Sequence, residues 1–444
     1  MAFCNHWDLY VLKLRNREDK MSYKGKKALV LTIGTGTRPE EIDSYISGIL
    51  RTIKDKNPDI ILFINSRETH EKTYPLVRER LDLEDKIVYE LILKDENDIS
   101  EIVEQMHQEI FEKLIMKGVC FDDITIDITF GTKVMSAGLL VSAVMNNIKE
   151  VSYVSGKRKS GIVLPGTERV LTVELNYVFD VQKLMKSIEY FNTYQFKSAI
   201  SLCEEVSFHL LREKKEFLLK LYRAYDLWDK FDFDGALSLL KEVSKSSGDL
   251  LGKCGIKSEV EKSKEYLHKI KDCSMDNLND EIISEVINNA VRRYEEGKYD
   301  DAMARLYRAL EMIGQKRFKE VFGCTTDNVK EEKMPDEIRN KIKSKVRYDG
   351  KIKFGLFDTF DAIYYEGDEV GKKFYTHFDI VHSEKGGITF KKILGIRNSS
   401  ILAHGIVPVK EAGLDQAFKL VKDVFNIKEG VRFIKLDWKD ILAL

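Results

Sequence analysis

A chain of 444 residues exceeds what one ordinary hydrophobic core organises, so its length divides into two or three domains. With 43% hydrophobic and 33% charged residues it has the balance of a folded globular protein; disorder is excluded, and no apolar run nears the roughly 20 residues of a membrane span. A formal net charge of −1 excludes a generally basic nucleic-acid coat, so a polyanion must be held by a local site.

The N-terminal MAFCNHWDLYVLKLRNREDKM lacks a basic-then-apolar signal, and Met21 stands just before the first clear strand. Residues 1–25 therefore read as an extension outside the fold. Cys4, Cys120, Cys203, Cys254, Cys273 and Cys324 are scattered, without a CxxC pair. That pattern opposes a disulfide framework or a zinc knuckle and predicts a reducing, cytoplasmic setting. No cofactor or metal is expected.

The first third alternates strand and helix. Lys27–Ile33 is a buried strand followed by the turn-rich GTGTRPEE and an amphipathic helix, Ile42–Lys54. Asp59–Ile64 is a second strand, ending in the polar loop NSRETHEKT. Lys86–Leu93 is a third, with Ile99–Lys117 the helix after it. Ile124–Ile128 is a fourth, followed by the small-residue-rich helix Met135–Met145. Alternation of this kind predicts a mostly parallel, doubly wound sheet. Glu150–Val154 and Gly161–Val173 read as closing strands around the hairpin-like SGKRKSG.

After about Asp180 amphipathic helices take over. Phe191, Phe196 and Ala199 recur as Trp228, Phe233 and Ala236, and again as Tyr294, Tyr299 and Ala302. Each set places aromatics eight and three residues before an alanine, the footprint of a helix end, a turn and a small residue admitting the next helix. The sets resemble tetratricopeptide-like hairpins at irregular spacing, and predict stacked helical hairpins. The polar stretch Ser244–Asp280 is expected to be a hinge or flexible connection.

Ligands of open parallel sheets bind outside the carboxyl ends of the strands, where strand order reverses. Here those ends carry Gly34-Thr35-Gly36-Thr37-Arg38, then Asn65-Ser66-Arg67-Glu68-Thr69, then Asp127-Ile128-Thr129-Phe130-Gly131-Thr132-Lys133. The last group opens into a helix whose free N–H groups and dipole, with Lys133, suit a phosphate or base. GTGTRP lacks the third glycine of a dinucleotide fingerprint and no GxxxxGK[ST] exists, which argues against nicotinamide and P-loop sites. A Gly/Thr-rich turn alone is more often only a turn, and Lys157, Arg158 and Lys159 fit a solvated hairpin tip equally well. Three such loops on one sheet edge favour an anionic-ligand site.

The segment DITFGTKVMSAGL resembles the D-x-[TS]-x-G-T-K-x-M signature of CARF domains, the Rossmann-like sensors of type III CRISPR systems, and the NSRET loop is similar to that family. The resemblance covers roughly residues 26–178. It implies a cyclic oligoadenylate bound across a two-fold homodimer interface, with tetra-adenylate favoured over hexa-adenylate. Thr129, Gly131, Thr132, Lys133 and Met135 would line the pocket, with Gly34, Thr35, Ser66, Arg67 and Thr69 opposite. A near-symmetric ring is matched by a symmetric pair of loops. Thr129, Lys133 and Ser66 also offer groups for slow cleavage of the activator.

Near the other end stands Ile396-Arg397-Asn398-Ser399-Ser400-Ile401-Leu402-Ala403-His404-Gly405. Arg397 and His404 are seven residues apart, which on one helix puts both on one face about 10 Å apart along the axis. Gly405 and Pro408 are stop signals that place His404 in the last turn, where the dipole favours imidazolium. These residue types suit metal-free RNA cleavage. The 2′-OH attacks the adjacent phosphorus while a histidine moves a proton and an arginine binds the phosphate; Asn398 could fix either partner. For an arbitrary R-x6-H, a surface cation and a capping histidine are the commoner explanation.

The segment matches the RN-x(n)-H motif of HEPN ribonucleases, and it lies in an all-helical region behind a CARF-like one, that family's arrangement. The helix Glu295–Gln315 likewise resembles an HEPN-associated helix, with Arg305, Arg308 and Glu311 as supporting candidates or salt-bridged surface positions. The resemblances imply an α/β Rossmann-like (CARF) domain over 26–178, an all-α connector over 179–290 and an HEPN domain over 291–444. The implied function is a cyclic-oligoadenylate-activated, metal-independent endoribonuclease, a homodimer cutting single-stranded RNA in antiviral defence. The alternative is a ligand-sensing regulator whose helical part binds a partner and cleaves nothing. His377 and His382 read as structural, and Asp358, Asp361 and Glu366 follow no nuclease spacing. Phe354, Phe357, Phe360, Tyr364 and Tyr365 read as a core stripe, and Lys341–Lys345 as solvated helix surface.

Overall fold

The structure, a computed structural model, describes residues 22–34, 42–81, 83–159, 162–164, 166–274, 276–342, 351–379 and 388–443. Thr35, His382 and the N-terminal extension up to Met21 lie outside the described residues. The chain divides into two compact units, Met1–Phe179 and Asp180–Leu444.

In the first unit, β1 (Ala28–Ile33), β2 (Ile60–Asn65), β3 (Ile87–Ile92), β4 (Ile124–Asp127) and β5 (Glu150–Ser155) pair in parallel in the order β3-β2-β1-β4-β5. All six residues of β1 and all six of β2 are buried, as a strand covered on both faces must be. Alternate residues feed two cores. Ala28, Val30, Ile60, Leu62 and Ile64 pack under α4 (Ile99–Lys113) and α5 (Lys133–Met145). Leu29, Leu31, Ile33, Ile61 and Phe63 pack under α1 (Ile42–Lys56) and α3 (Tyr74–Arg80). The order reverses between β1 and β4, so the loops after these two strands flank the switch point.

Two local readings are corrected. The loop NSRETHEKT is helical: Asn65 ends β2, and Ser66 caps α2 (Arg67–Lys72), its hydroxyl accepting the Thr69 N–H at 3.2 Å. The closing segment Gly161–Val173 is not one strand: β7 (Ile162–Val163) pairs back with β6 (Arg158–Lys159) in the preceding loop, and β8 (Arg169–Glu174) completes the sheet antiparallel to β5.

The second unit is helical throughout its regular elements. α6 (Asn176–Asn192) and α7 (Phe196–Glu204), α8 (Arg212–Asp229) and α9 (Phe233–Ser246), and α12 (Asp280–Glu295) and α13 (Tyr299–Phe322) are the three predicted hairpins. Ala199, Ala236 and Ala302 are fully buried at their crossings. Ser244–Asp280 is not a flexible connection. It folds into the end of α9, α10 (Gly248–Lys253) and α11 (Lys257–Ile270), and Val260, Leu267 and Ile270 of α11 are fully buried. α14 (Asp336–Ile342), α15 (Leu356–Tyr365), α16 (Glu369–Thr376), α17 (Phe390–Ser399), α18 (Glu411–Phe425) and α19 (Trp438–Leu442) follow. One buried cluster runs from Leu184 to Ile441 and joins these helices except α14, whose Ile338 and Ile342 pack in a second cluster with Phe318, Phe322 and Phe354. Among the described residues no helix is long and apolar enough to cross a membrane.

Candidate functional sites

In the first unit the two switch-point loops meet glycine to glycine. A Cβ on Gly34 would stand 3.0 Å from the Gly131 Cα, and Gly131 itself has φ +86°. A side chain at Gly34 would push the loops apart, and one at Gly131 would run into the Thr32 side chain of β1. The meeting is fastened from below. Tyr45 of α1 is edge-on to Phe130 at 5.0 Å, and its hydroxyl accepts the Gly34 N–H. The Thr32 hydroxyl donates to the Phe130 carbonyl. Burial pushes the Tyr45 phenol far above its ordinary pKa, so it stays protonated.

Asp127, fully buried at the end of β4, shapes the second loop. One carboxylate oxygen accepts the Thr129 N–H at 2.8 Å; the other accepts the Thr52 and Ser152 hydroxyls, each at 3.0 Å. Burial raises its pKa, opposed by these hydrogen bonds. The Thr129 hydroxyl accepts the Val154 N–H at 2.7 Å, which ties the loop to β5. Thr132 then caps α5 through the Met135 N–H at 3.2 Å. Thr132 and Lys133 are exposed at the helix start, the placement an anion needs.

Gly34, Thr129, Gly131, Thr132 and Lys133 are thus gathered at the switch point. Ser66, Arg67 and Thr69 stand one strand over, at the end of β2; Arg67 is exposed, while Ser66 and Thr69 are buried with their hydroxyls 3.0 Å apart. Met135 does not line the loop surface: its side chain is fully buried in the core beneath α5. Helical periodicity explains this, because position 135 falls on the face shared with Leu139 and Ala143. Tyr45 and Asp127 were not among the expected site residues. Tyr45 repeats with Ile42, Ile46 and Ile49 on the inner face of α1, the one signal that placed it against the loops.

At the second site Arg397 occupies the last turn of α17, but His404 is not on that helix. α17 ends at Ser399, and Ser400 is extended at φ −79°, ψ 162°. The Ser400 N–H and hydroxyl fold back on the Arg397 carbonyl at 3.1 and 2.8 Å, so the local serine competes with helix continuation. The chain then loops back. The His404 N–H reaches the Asn398 carbonyl at 3.2 Å and the Val407 N–H reaches the Ser399 carbonyl at 2.9 Å. Gly405 lies so close to the Ser399 backbone that a Cβ would clash. His404 is therefore brought back to the end of α17 by a turn rather than by helical periodicity, and its side chain is exposed.

The Arg397 guanidinium lies over the Tyr307 ring at 4.4 Å and donates to the Asn398 side-chain oxygen at 3.0 Å. The supporting candidates are engaged in ion pairs: Arg305 with Asp301 at 2.9 Å and Arg308 with Glu311 at 3.0 Å. Ile401, Leu402, Ile406 and Val407 around His404 are between 50% and 85% exposed. Elsewhere the aromatic stripe is divided. Phe354 and Phe360 are core, but Phe357, Tyr364 and Tyr365 are exposed, and the two tyrosines line an open cavity of about 680 Å³ with Lys372 and Tyr375. His377 is half-buried, its ring 2.9 Å from the Lys373 carbonyl, a structural placement.

Three family models match successive parts of the chain: the Card1 CARF domain over 45–183, the Csm6 6H domain over 179–269 and the Csm6 HEPN domain over 271–428. α12, within the expected connector, falls inside the HEPN match. No curated protein matches the chain. Among solved structures, Enterococcus italicus Csm6 bound to cyclic hexa-2′-fluoro-hexa-dAMP superposes with a TM-score of 0.48 at 12% identity, covering 94% of this chain and 97% of that one. Can2 from Sulfobacillus thermosulfidooxidans in complex with cyclic tetra-adenylate superposes at 0.23 and 11% identity, covering 50% and 68%.

Proposed function

From a chain that joins a CARF domain to a helical region and an HEPN domain, we propose a cyclic-oligoadenylate-activated endoribonuclease that needs no metal and acts as a homodimer. The observation that carries it is the loop behind α17, which returns His404 to the helix end bearing Arg397 and Asn398. His404 moves the proton of the 2′-OH or of the leaving 5′-oxygen, and Arg397 meets the phosphate whose charge rearranges. One chain supplies one Arg–His pair. The exposed Ile401, Leu402, Ile406 and Val407 offer a second copy an apolar surface to bury, which would bring two pairs together.

Gly34, Thr129, Gly131, Thr132 and Lys133, with Ser66 and Arg67 beside them, are the residues we assign to the cyclic ligand. Tetra-adenylate is preferred over hexa-adenylate. Binding shifts the population toward the productive pairing of HEPN domains, by its differential affinity for the two states. Slow cleavage of the activator at Thr129, Lys133 or Ser66 belongs to the same reading, as does a place in antiviral defence.

The test uses purified protein, a fluorescent single-stranded RNA and EDTA, with cyclic tetra-adenylate and cyclic hexa-adenylate added separately. Cleavage is expected with one ring. Arg397→Ala or His404→Ala should lower it on the order of 10²- to 10⁴-fold without weakening ring binding. The stacked helical hairpins favour a second reading, a sensor that docks a partner. Tight ring binding with no cleavage by the wild type would establish that one instead.

A further inference from the structure

A phosphate-binding arginine has to be held in one orientation while its N–H donors stay available. A carboxylate would orient it but would occupy those donors and offset its charge, competing directly with the substrate phosphate. In this chain the arginines beside Tyr307 on α13 and Arg397 of α17 divide along that line. Arg305 and Arg308 are paired to Asp301 and Glu311. Arg397 has no carboxylate partner among the described residues; it is held by the face of Tyr307 at 4.4 Å and by one hydrogen bond to Asn398.

We infer that Tyr307 is a positioning residue for the reaction, fixing the plane of the Arg397 guanidinium so that its remaining N–H donors meet the scissile phosphate. The inference rests on the ribonuclease reading and adds to it a residue on a different helix, α13. An aromatic face binds a guanidinium without taking any of its hydrogen bonds, so orientation is obtained with the donors left free. Tyr307 is itself fixed. Its ring is half-buried, and Glu311 stands one turn along the helix, near enough for its charge to act on the phenol. Glu311 in turn is held by Arg308 at 3.0 Å. Burial, then the Glu311 charge, raises the Tyr307 pKa, so the phenol stays neutral and does not itself become a counter-ion for Arg397. The supporting candidates Arg308 and Glu311 therefore serve the site through Tyr307, which precedes them on α13.

This predicts a particular order among substitutions. Tyr307→Phe keeps the aromatic face and should retain cleavage near the wild-type rate. Tyr307→Leu keeps apolar bulk without a π face and should lower kcat about ten- to a hundredfold, with KM for RNA changed less than about twofold. In an Arg397→Ala background, Tyr307→Leu should cause no further loss, because its effect passes through the arginine. A merely structural tyrosine would instead lower activity equally in both backgrounds.

A readout that needs no turnover separates this inference from the activity it rests on. In protein labelled at arginine, the Arg397 side-chain N–H resonance, assigned by its disappearance in Arg397→Lys, is expected to be ring-current shifted. The shift should persist in Tyr307→Phe and vanish in Tyr307→Leu, with thermal unfolding and binding of the cyclic oligoadenylates unchanged. A wild type that cuts no RNA would remove the ribonuclease reading while the resonance still decided the stacking. Tyr307→Leu cutting at the wild-type kcat, or an Arg397 resonance indifferent to that change, overturns the positioning role.

Discussion

Glu285 is a carboxylate with no exposed surface, set on α12 beside Arg292, which is 4% exposed. Arg292 donates to Glu285 at 2.7 Å and to Asp229 of α8 at 2.8 Å, with its guanidinium 3.9 Å over the Phe433 ring. Arg293 reaches the other Asp229 oxygen at 2.7 Å. Burial outweighs the arginine and pushes Glu285 from 4.5 up to about 7. The folded chain then binds this proton more tightly than the unfolded one, so the group's contribution to stability is present below its unfolded pKa and is lost as pH climbs toward 7. The Tm of the wild type relative to Glu285→Gln should accordingly fall between about pH 5 and pH 8; a constant difference in thermal unfolding would show an ordinary carboxylate. Nothing in the sequence separated Glu285 from the exposed glutamates around it. Arg397, Asn398 and His404 of the proposed site stand out by type and order, whereas the place of Tyr307 under Arg397 follows only from the packing of two helices.

At the scale of elements, the recurring aromatic and alanine pattern marks three turns built alike. Gln195, Asp232 and Lys298 each donate backwards to the carbonyl five residues before, at 2.8, 2.9 and 2.9 Å. The residue before each is left-handed: Tyr194 at φ +62°, Phe231 at +67° and Gly297 at +74°. Only the third uses the residue type that favours this conformation. Phe231 is also 38% exposed, so little packing would be lost with its side chain. Relieving a strain of roughly 1–2 kcal/mol, Phe231→Gly should hold or raise the Tm, while Phe231→Val should lower it because a branched Cβ resists positive φ. The reverse order in thermal unfolding would mean the Phe231–Phe233 contact at 5.3 Å dominates. The hairpins were legible because a crossing demands a small residue at a set distance from the turn. The end of α17 was not: Gly405 and Pro408 are stop signals, but Ser400 stops the helix earlier, its hydroxyl donating back to the Arg397 carbonyl.

At the scale of the whole second unit, the segment after α18 ties late residues to early ones. The Asn192 side chain bonds both the N–H and the carbonyl of Leu436, at 2.8 and 2.7 Å. Ser284 and Asn288 of α12 donate to the carbonyls of Lys428 and Val431, at 3.0 and 3.3 Å. Phe433 stands among Tyr225, Trp228 and Phe196, with ring centres 4.9, 4.8 and 6.0 Å away. The segments matched as 6H and HEPN domains are thereby joined in one core. Phe433→Ala should cost about 3–5 kcal/mol and unfold both segments in a single transition, seen by calorimetry, while the cyclic-oligoadenylate binding proposed for the first unit persists. Separate transitions for the two helical segments would contradict the shared core.

The sequence alone determined the alternating strands, the glycines and threonines of the switch-point loops and the helical hairpins, and it carries the Arg-Asn-His order on which the proposed site rests. Each of these is a local requirement: periodic burial, a turn, a small residue at a crossing, a reactive side chain. Tertiary structure decided that Gly34 abuts Gly131, that Asp127 and Tyr45 hold the loops, that Tyr307 lies under Arg397, and that the last residues close the helical core. Those are contacts between segments far apart in the chain, and backbone preference at either end carries no record of its partner; packing selects them.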